Sequence, residues 1–314
     1  MSKDWVFIAA TPWQVHSKNI SHNENTSANI FRLLNAEVYH ISDIKNLNAK
    51  YYYINAFDIK ETHLLLPVMD KIKDNGGKSI VHFSSDGRFI MGHCLYDMST
   101  NTGYGDVCDK ANFIISEVSP DWKCYGKNQH KVIPLSHNME HINYNIDLSE
   151  KNIDIFSTGP GGQENLPLVI ETLRYLKEKN PHFKIVCATA SDFVAKLNDK
   201  YPEIEFVFSS PHHNFLETLK QSKVYLNLEP RPRGGRAVEW SYYCKTPAVA
   251  YKYVYYSQLY PELCYDKLDM DLICNLLETA HKNTWQHYES KANEFAEKNM
   301  FESWYKTIMS RLVE

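Results

Sequence analysis

The chain has 314 residues, 43% of them hydrophobic and 23% charged, the make-up of a globular protein long enough for two domains of about 150 residues each. Its net charge of -4 is spread over both halves, which argues against avid, non-specific nucleic-acid binding driven by phosphate neutralisation. No apolar run approaches the roughly 20 residues that span a bilayer, and Met1 to Trp13 lacks the features of a signal peptide, so a cytoplasmic protein is expected.

Trp5 to Ala10 is a short apolar run ending at Thr11-Pro12, a first buried strand and turn. Asn25 to Leu34 has helical spacing, with Ala28, Phe31 and Leu34 in line behind capping residues at 25–27. Glu37 to Ile41 and Tyr51 to Phe57 read as strands, and Thr62 to Lys73 as an amphipathic helix closed by Asn75-Gly76-Gly77. Ser79 to Phe83, Ala111 to Ser116 and Lys131 to Leu135 continue the series as strands. Strands alternating with helices predict a parallel sheet covered on both faces. Leu135 to Lys151 is polar, lacks a long apolar run and reads as a linker.

A second alternating series follows. Ile153 to Ser157 is a strand that runs into Thr158-Gly159-Pro160-Gly161-Gly162, and a helix is expected from about Asn165 to Asn180. Phe183 to Ala188 and Ile204 to Phe208 read as strands around a helix at Ser191 to Lys200. His212-His213 falls in a loop, and Phe215 to Ser222 in a short helix. From Asp271 to Glu314 the pattern is helical throughout. Seven cysteines without paired local spacing read as reduced thiols, and most of the 21 tyrosines read as core residues.

The stretch from Tyr225 to Ala250 carries the most chemistry. The apolar run Val224 to Leu228 breaks at Pro230 and Pro232, as a strand entering a loop does. That loop holds Arg231, Arg233, Gly234 and Gly235, with Arg236 following. A helical pattern comes next, with Val238 and Trp240 to Tyr243, and Lys245-Thr246-Pro247 ends it before the apolar run Ala248 to Tyr251. Strand, Gly/Arg loop and helix start together make the layout of an anion site. Glycines let the backbone approach a phosphate, a helix N-terminus offers unpaired N–H groups, and arginine grips phosphate oxygens two at a time. Glu239, a turn inside the helix, is placed to take ribose hydroxyls. The alternative is a solvated basic turn with Glu239 an ordinary helix residue.

This stretch resembles the donor-binding motif of retaining GT-B glycosyltransferases, above all family 4. In that family a strand leads to a Glu-containing, Gly-rich loop, then to a helix with a second Glu and a turn of the Gly-x-Pro-Val type. The run from Glu239 to Val249, EWSYYCKTPAV, matches the second half of the pattern. The first half departs: nine residues separate Glu229 and Glu239 where the family has seven, and position 231 is Arg. Phe301-Glu-Ser-Trp304 resembles the terminal segment, where the last helix crosses back onto the first domain.

The resemblance implies an α/β protein of two Rossmann-like domains facing across a cleft. Its divisions are 1–138 as acceptor-side domain, 139–150 as linker, 151–295 as nucleotide-sugar-binding domain and 296–314 as the returning helix. Ligands in such domains collect at the carboxyl ends of strands. Gly159, Gly161 and Gly162 therefore face a donor diphosphate or form an ordinary turn. The family's Arg and Lys are missing between Thr158 and Leu173, so Arg231, Arg233 and Arg236 become the supply of positive charge. Asp86, after the Ser79 to Phe83 strand, takes a place where family members carry a His; it orients the donor, activates an acceptor hydroxyl or caps the turn before Gly87. Asp269-Met-Asp271 formally matches the D-x-D of metal-dependent glycosyltransferases but sits where Asp caps a helix, and no metal or other cofactor is expected.

The function implied is transfer of a sugar from a UDP- or GDP-linked donor to an acceptor hydroxyl, with retention. Glu239 binds the ribose, Arg236 and its neighbours stabilise the leaving diphosphate, and Glu229 contacts the sugar. The acceptor is a glycan or another hydroxyl compound. Alternatives are transfer to hydroxymethylated DNA bases, as in phage enzymes, a sugar-nucleotide epimerase, or a non-catalytic nucleotide-sugar-binding relative.

Overall fold

The computed structural model describes residues 4–9, 34–44, 47–56, 62–83, 104–116, 123–135, 146–158, 166–208, 212–228, 235–252, 254–283, 285–299 and 301–313. The chain divides into two compact units, one holding Met1–Asn138 and Trp304–Glu314, the other Met139–Arg231 and Gly235–Ser303. The predicted helix at Asn25 to Leu34 lies, but for its last residue, outside the described residues.

The first unit is built on six parallel strands: β1 (Trp5–Ala9), β2 (Glu37–His40), β3 (Tyr51–Ala56), β4 (Lys78–Phe83), β5 (Phe113–Ser116) and β6 (Val132–Pro134). Their order is β2-β1-β3-β4-β5-β6, with Phe7 of β1 level with Val38 on one side and Tyr53 on the other. Aromatic and β-branched runs suit strands covered on both faces, and Tyr52, Tyr53, Ile54, Ile80 and Val81 are all buried. Helix α1 (Thr62–Asp74) buries Leu65, Met69 and Ile72, one stripe at helical spacing. It stops where predicted: Gly76 is left-handed, with φ 74°, and a Cβ on Gly77 would come within 2.7 Å of the Tyr52 ring. A second helix, α2 (Tyr104–Lys110), spans two turns.

The second unit also has six parallel strands. In chain order they and their helices are β7 (Ile153–Thr158), α3 (Leu166–Lys179), β8 (Ile185–Thr189), α4 (Ser191–Lys200), β9 (Glu205–Phe208), α5 (His212–Lys220), β10 (Ser222–Asn227), α6 (Arg236–Tyr243), β11 (Ala248–Tyr251), β12 (Cys264–Tyr265), α7 (Met270–Lys282) and α8 (Trp285–Asn299). Helix α5 begins at His212, so the two histidines open a helix instead of lying in a loop. The sheet order is β12-β11-β10-β7-β8-β9. The chain thus moves outward from β7 to β9, returns to the other side of β7 at β10, and moves outward again to β12. The order reverses between β7 and β10, and such a reversal leaves a crevice at the carboxyl ends of the two strands.

Tyrosines supply much of this unit's core. Tyr242, Tyr260 and Tyr288 stack edge to face at 5.2 and 5.1 Å. Two of these phenols donate to backbone carbonyls, Tyr242 to Tyr256 at 3.1 Å and Tyr260 to Tyr288 at 2.5 Å. Cys108, Cys187, Cys244, Cys264 and Cys274 are free thiols.

The last helix, α9 (Phe301–Val313), contributes its Trp304–Glu314 portion to the first unit. Trp304, Ile308 and Leu312 form its buried stripe, four residues apart. The Trp5 indole of β1 donates to the Tyr305 hydroxyl at 3.3 Å, and the Lys78 ammonium of β4 donates to the Leu312 carbonyl.

Candidate functional site

The reversal between β7 and β10 is where the predicted site residues leave the sheet. Gly159, Gly161 and Gly162 come directly after β7, and Glu229, Arg231, Arg233 and Gly234 come after β10 and Leu228; all of these lie outside the described residues, as does Asp86 after β4. The strand ends themselves are cross-linked by hydroxyls. Thr158 Oγ1 and the Tyr225 phenol are 2.7 Å apart, Ser157 Oγ donates to the Leu226 carbonyl at 3.0 Å, and the Tyr265 phenol donates to the Asn227 carbonyl at 2.9 Å. Side-chain bonds of this kind hold adjacent strand ends in register where a ligand would press on them.

Three predicted residues are described, and the structure brings them into one turn at the start of α6. Gly235 precedes the helix with φ 77° and ψ 57°, a left-handed conformation that glycine adopts without strain. A Cβ there would come within 2.2 Å of Val254 Cγ1. Glycine is therefore required at 235 by backbone and packing together, whatever approaches from outside. Its carbonyl accepts from the Val238 and Glu239 N–H groups at 2.8 and 3.0 Å, which starts the helix. Arg236 opens the helix with its guanidinium 5.6 Å from the centre of the Trp240 ring, a cation–π contact that directs a long side chain.

Glu239 is fully buried, and the Tyr243 hydroxyl donates to its Oε1 at 2.8 Å. A buried acidic side chain is uncommon unless bonded, and in the first turn of a helix it meets the positive end of the helix dipole. The first N–H groups of any helix lack intrahelical acceptors. This turn therefore combines a cation, the N–H groups of a helix start and a carboxylate within one helical turn. Such a set can hold an anion beside a hydroxyl-bearing group.

The other sequence candidates resolve differently. His82 is buried within β4. Asp269 caps α7 by accepting from the Leu272 N–H at 3.1 Å, as expected of an N-cap. Asp271 accepts from Lys179 at 2.7 Å and from the Tyr175 phenol at 2.5 Å, and the Lys179 bond first, then that of Tyr175, hold its carboxyl below the usual range. Among the described residues no three His, Cys, Asp or Glu side chains gather where they could hold a metal, and no helix is long and apolar enough to cross a membrane. Sequence reasoning missed Tyr243 and the Thr158–Tyr225 pair. The first was legible, since Glu239 and Tyr243 are spaced i, i+4 and so share a helix face; the second depends on the strand order and was not.

No protein-family model matches the chain, and no curated protein matches it by sequence. Solved structures do match by shape. Anabaena HepE in complex with UDP superposes with a TM-score of 0.66 at 9% identity, over 99% of each chain. Trehalose-6-phosphate synthase OtsA gives 0.59 at 13% identity, over 97% of this chain and 81% of the other. The pneumococcal O-GlcNAc transferase GtfA in complex with UDP and GlcNAc gives 0.57 at 11% identity, over 86% of this chain and 58% of the other. The chain has the GT-B fold.

Proposed function

We propose that the chain is a glycosyltransferase that moves a sugar from a nucleotide sugar to an acceptor hydroxyl. The observation that carries this reading is the first turn of α6, where Gly235, Arg236 and the buried Glu239 stand at the carboxyl side of the β7–β10 reversal. UDP is the first nucleotide to test, because HepE and GtfA are each solved with it. Glu239 receives the ribose hydroxyls. Arg236 and the N–H groups of α6 take the charge that develops on the departing diphosphate, aided by Arg231 and Arg233, so the proposal needs no divalent ion. Catalysis is then mainly positioning and electrostatic stabilisation, with Glu229 at the sugar and Asp86 on the acceptor side. The resemblance to family 4 favours retention at the anomeric carbon, and cysteines without paired spacing favour a protein that works in the cytoplasm.

The test is thermal stabilisation by UDP, GDP and their sugar conjugates, because a ligand that binds only the native state raises its melting temperature. One nucleotide sugar should raise it selectively. Glu239→Gln keeps an acceptor for Tyr243 and the shape of the side chain, and should weaken that response at least tenfold. An undiminished response in Glu239→Gln would overturn the ribose assignment, and no response to any nucleotide would overturn the donor site.

A further inference from the structure

The opposite edge of the second sheet holds a cavity of about 320 Å³. It lies at the amino ends of β7, β10 and β11, between the end of α6 and the junction of α7 with α8. Its wall includes Lys151, Lys223, Lys245, His281 and Trp285. The chemistry there is cationic and only partly balanced. Asp154 Oδ1 is shared by Lys223 at 2.8 Å and His281 at 2.7 Å, and its Oδ2 accepts from the Lys184 N–H at 2.8 Å. Lys151 donates to neutral acceptors, the carbonyls of Lys220, Ser222 and Cys244 and the Thr246 hydroxyl, at 2.6 to 3.1 Å. Lys245 has no carboxylate partner among the described residues. Lys245 thus adds a charge beside Lys223, whose carboxylate partner Asp154 is shared with His281.

Two further features single the cavity out. Lys245 has φ 53°, a left-handed backbone at which only glycine is free of strain and asparagine is well tolerated. A lysine at that position brings a further charge to the cavity wall beside Lys223. The Trp285 ring, 6% exposed, forms part of the cavity wall. Burial pulls Lys151 down to about 7, and the Lys245 charge nearby adds to that.

We propose that this cavity binds a small phosphate-bearing anion, with Lys245 and Lys223 as its charge partners. It is separate from the donor site, since α6 begins at the carboxyl edge of the sheet and delivers Lys245 to the amino edge. Leu148 and Pro247 leave an apolar margin for the organic part of a phosphate ester. Inorganic phosphate and a sugar phosphate, glucose 6-phosphate, serve as the two probes, and the tighter one identifies whether the ester body contributes. Binding is read by calorimetry on the full chain. Lys245→Gly relieves the left-handed backbone, so it should raise the melting temperature of the free protein while weakening the tighter probe at least tenfold. Lys245→Asn, which also suits that backbone, should weaken it equally. Arg236→Gln, at the donor site, should leave the probe's affinity unchanged. Undiminished affinity in both Lys245 variants, loss confined to Arg236→Gln, or no heat from either probe with the wild-type chain would each overturn the proposal.

Discussion

A single lysine ties together four segments of the second unit. Lys151, just before β7, sends its ammonium to the end of α5, the start of β10, the residue after α6 and the hydroxyl of Thr246. The Thr246 hydroxyl also donates to the Ser222 and Cys244 carbonyls, so amine and hydroxyl together bridge these segments. Lys151→Met keeps the length of the side chain and removes the donor, leaving buried acceptors unmet at a cost of about 1–3 kcal/mol. The pH dependence has a definite sign. Burial pulls Lys151 down to about 7 from an ordinary value of 10.5. Between these values the unfolded chain holds a proton that the folded chain has released, so stability rises with pH across that window. Urea unfolding should show the gap between wild type and Lys151→Met widening from pH 7 to pH 10; a constant gap would show that the buried amine stays charged. No pattern in the sequence marks this residue, because its acceptors are carbonyls distant in the chain by up to 93 positions. Glu239 was legible for the opposite reason, since a Gly-rich turn and a helix start precede it within a few residues.

At the scale of elements, α6 is the piece that links fold to chemistry. It is only eight residues long, yet Val238 to Tyr243 are all buried, so packing and not intrinsic helicity holds it. Its start is fixed by Gly235 and its interior by the Tyr243–Glu239 bond. Tyr243→Phe preserves the ring against Phe295, 6.1 Å away, and deletes only the hydroxyl. It should cost about 1–3 kcal/mol in urea unfolding, because a buried carboxylate loses a donor. It should also weaken the stabilisation by a nucleotide sugar, since the Glu239 side chain is then less firmly oriented. Loss of stability with an unchanged nucleotide response would make Tyr243 purely a packing residue. The elements that periodicity predicted are the longer ones. Helix α4 and strand β11 have the expected bounds, while α1, α3, β7 and the last three helices differ from expectation by a residue or two or in their division. The two-turn α2 and the two-residue β12 carry too few residues to show a period, and β12 exists only because Tyr251 and Ala250 offer it an edge. His212 and His213 read as loop because no apolar residue precedes Phe215, although the helix begins at them.

The molecule as a whole has two separate hydrophobic cores, one under each sheet. Chains of this kind unfold unit by unit when one core can open without the other. The first unit is expected to open first, because it is the one that depends on the far end of the chain. Trp304, Ile308 and Leu312 reach it from α9, with Tyr305 placed against Trp5 at a ring distance of 6.3 Å. The amino-terminal sheet thus closes only when residues some 300 positions later in the chain arrive, and a contact of that separation forms late in folding. Trp304→Ala removes the largest side chain of the stripe, and a Trp-to-Ala change in a core costs about 3–5 kcal/mol. Circular dichroism and tryptophan fluorescence during urea unfolding should resolve an early transition that shifts to lower denaturant in Trp304→Ala, with the later one in place. Since α6 and its neighbours belong to the second unit, nucleotide stabilisation should move the later transition and leave the early one alone. A single transition displaced as one by both Trp304→Ala and nucleotide would mean that the two cores are energetically one body.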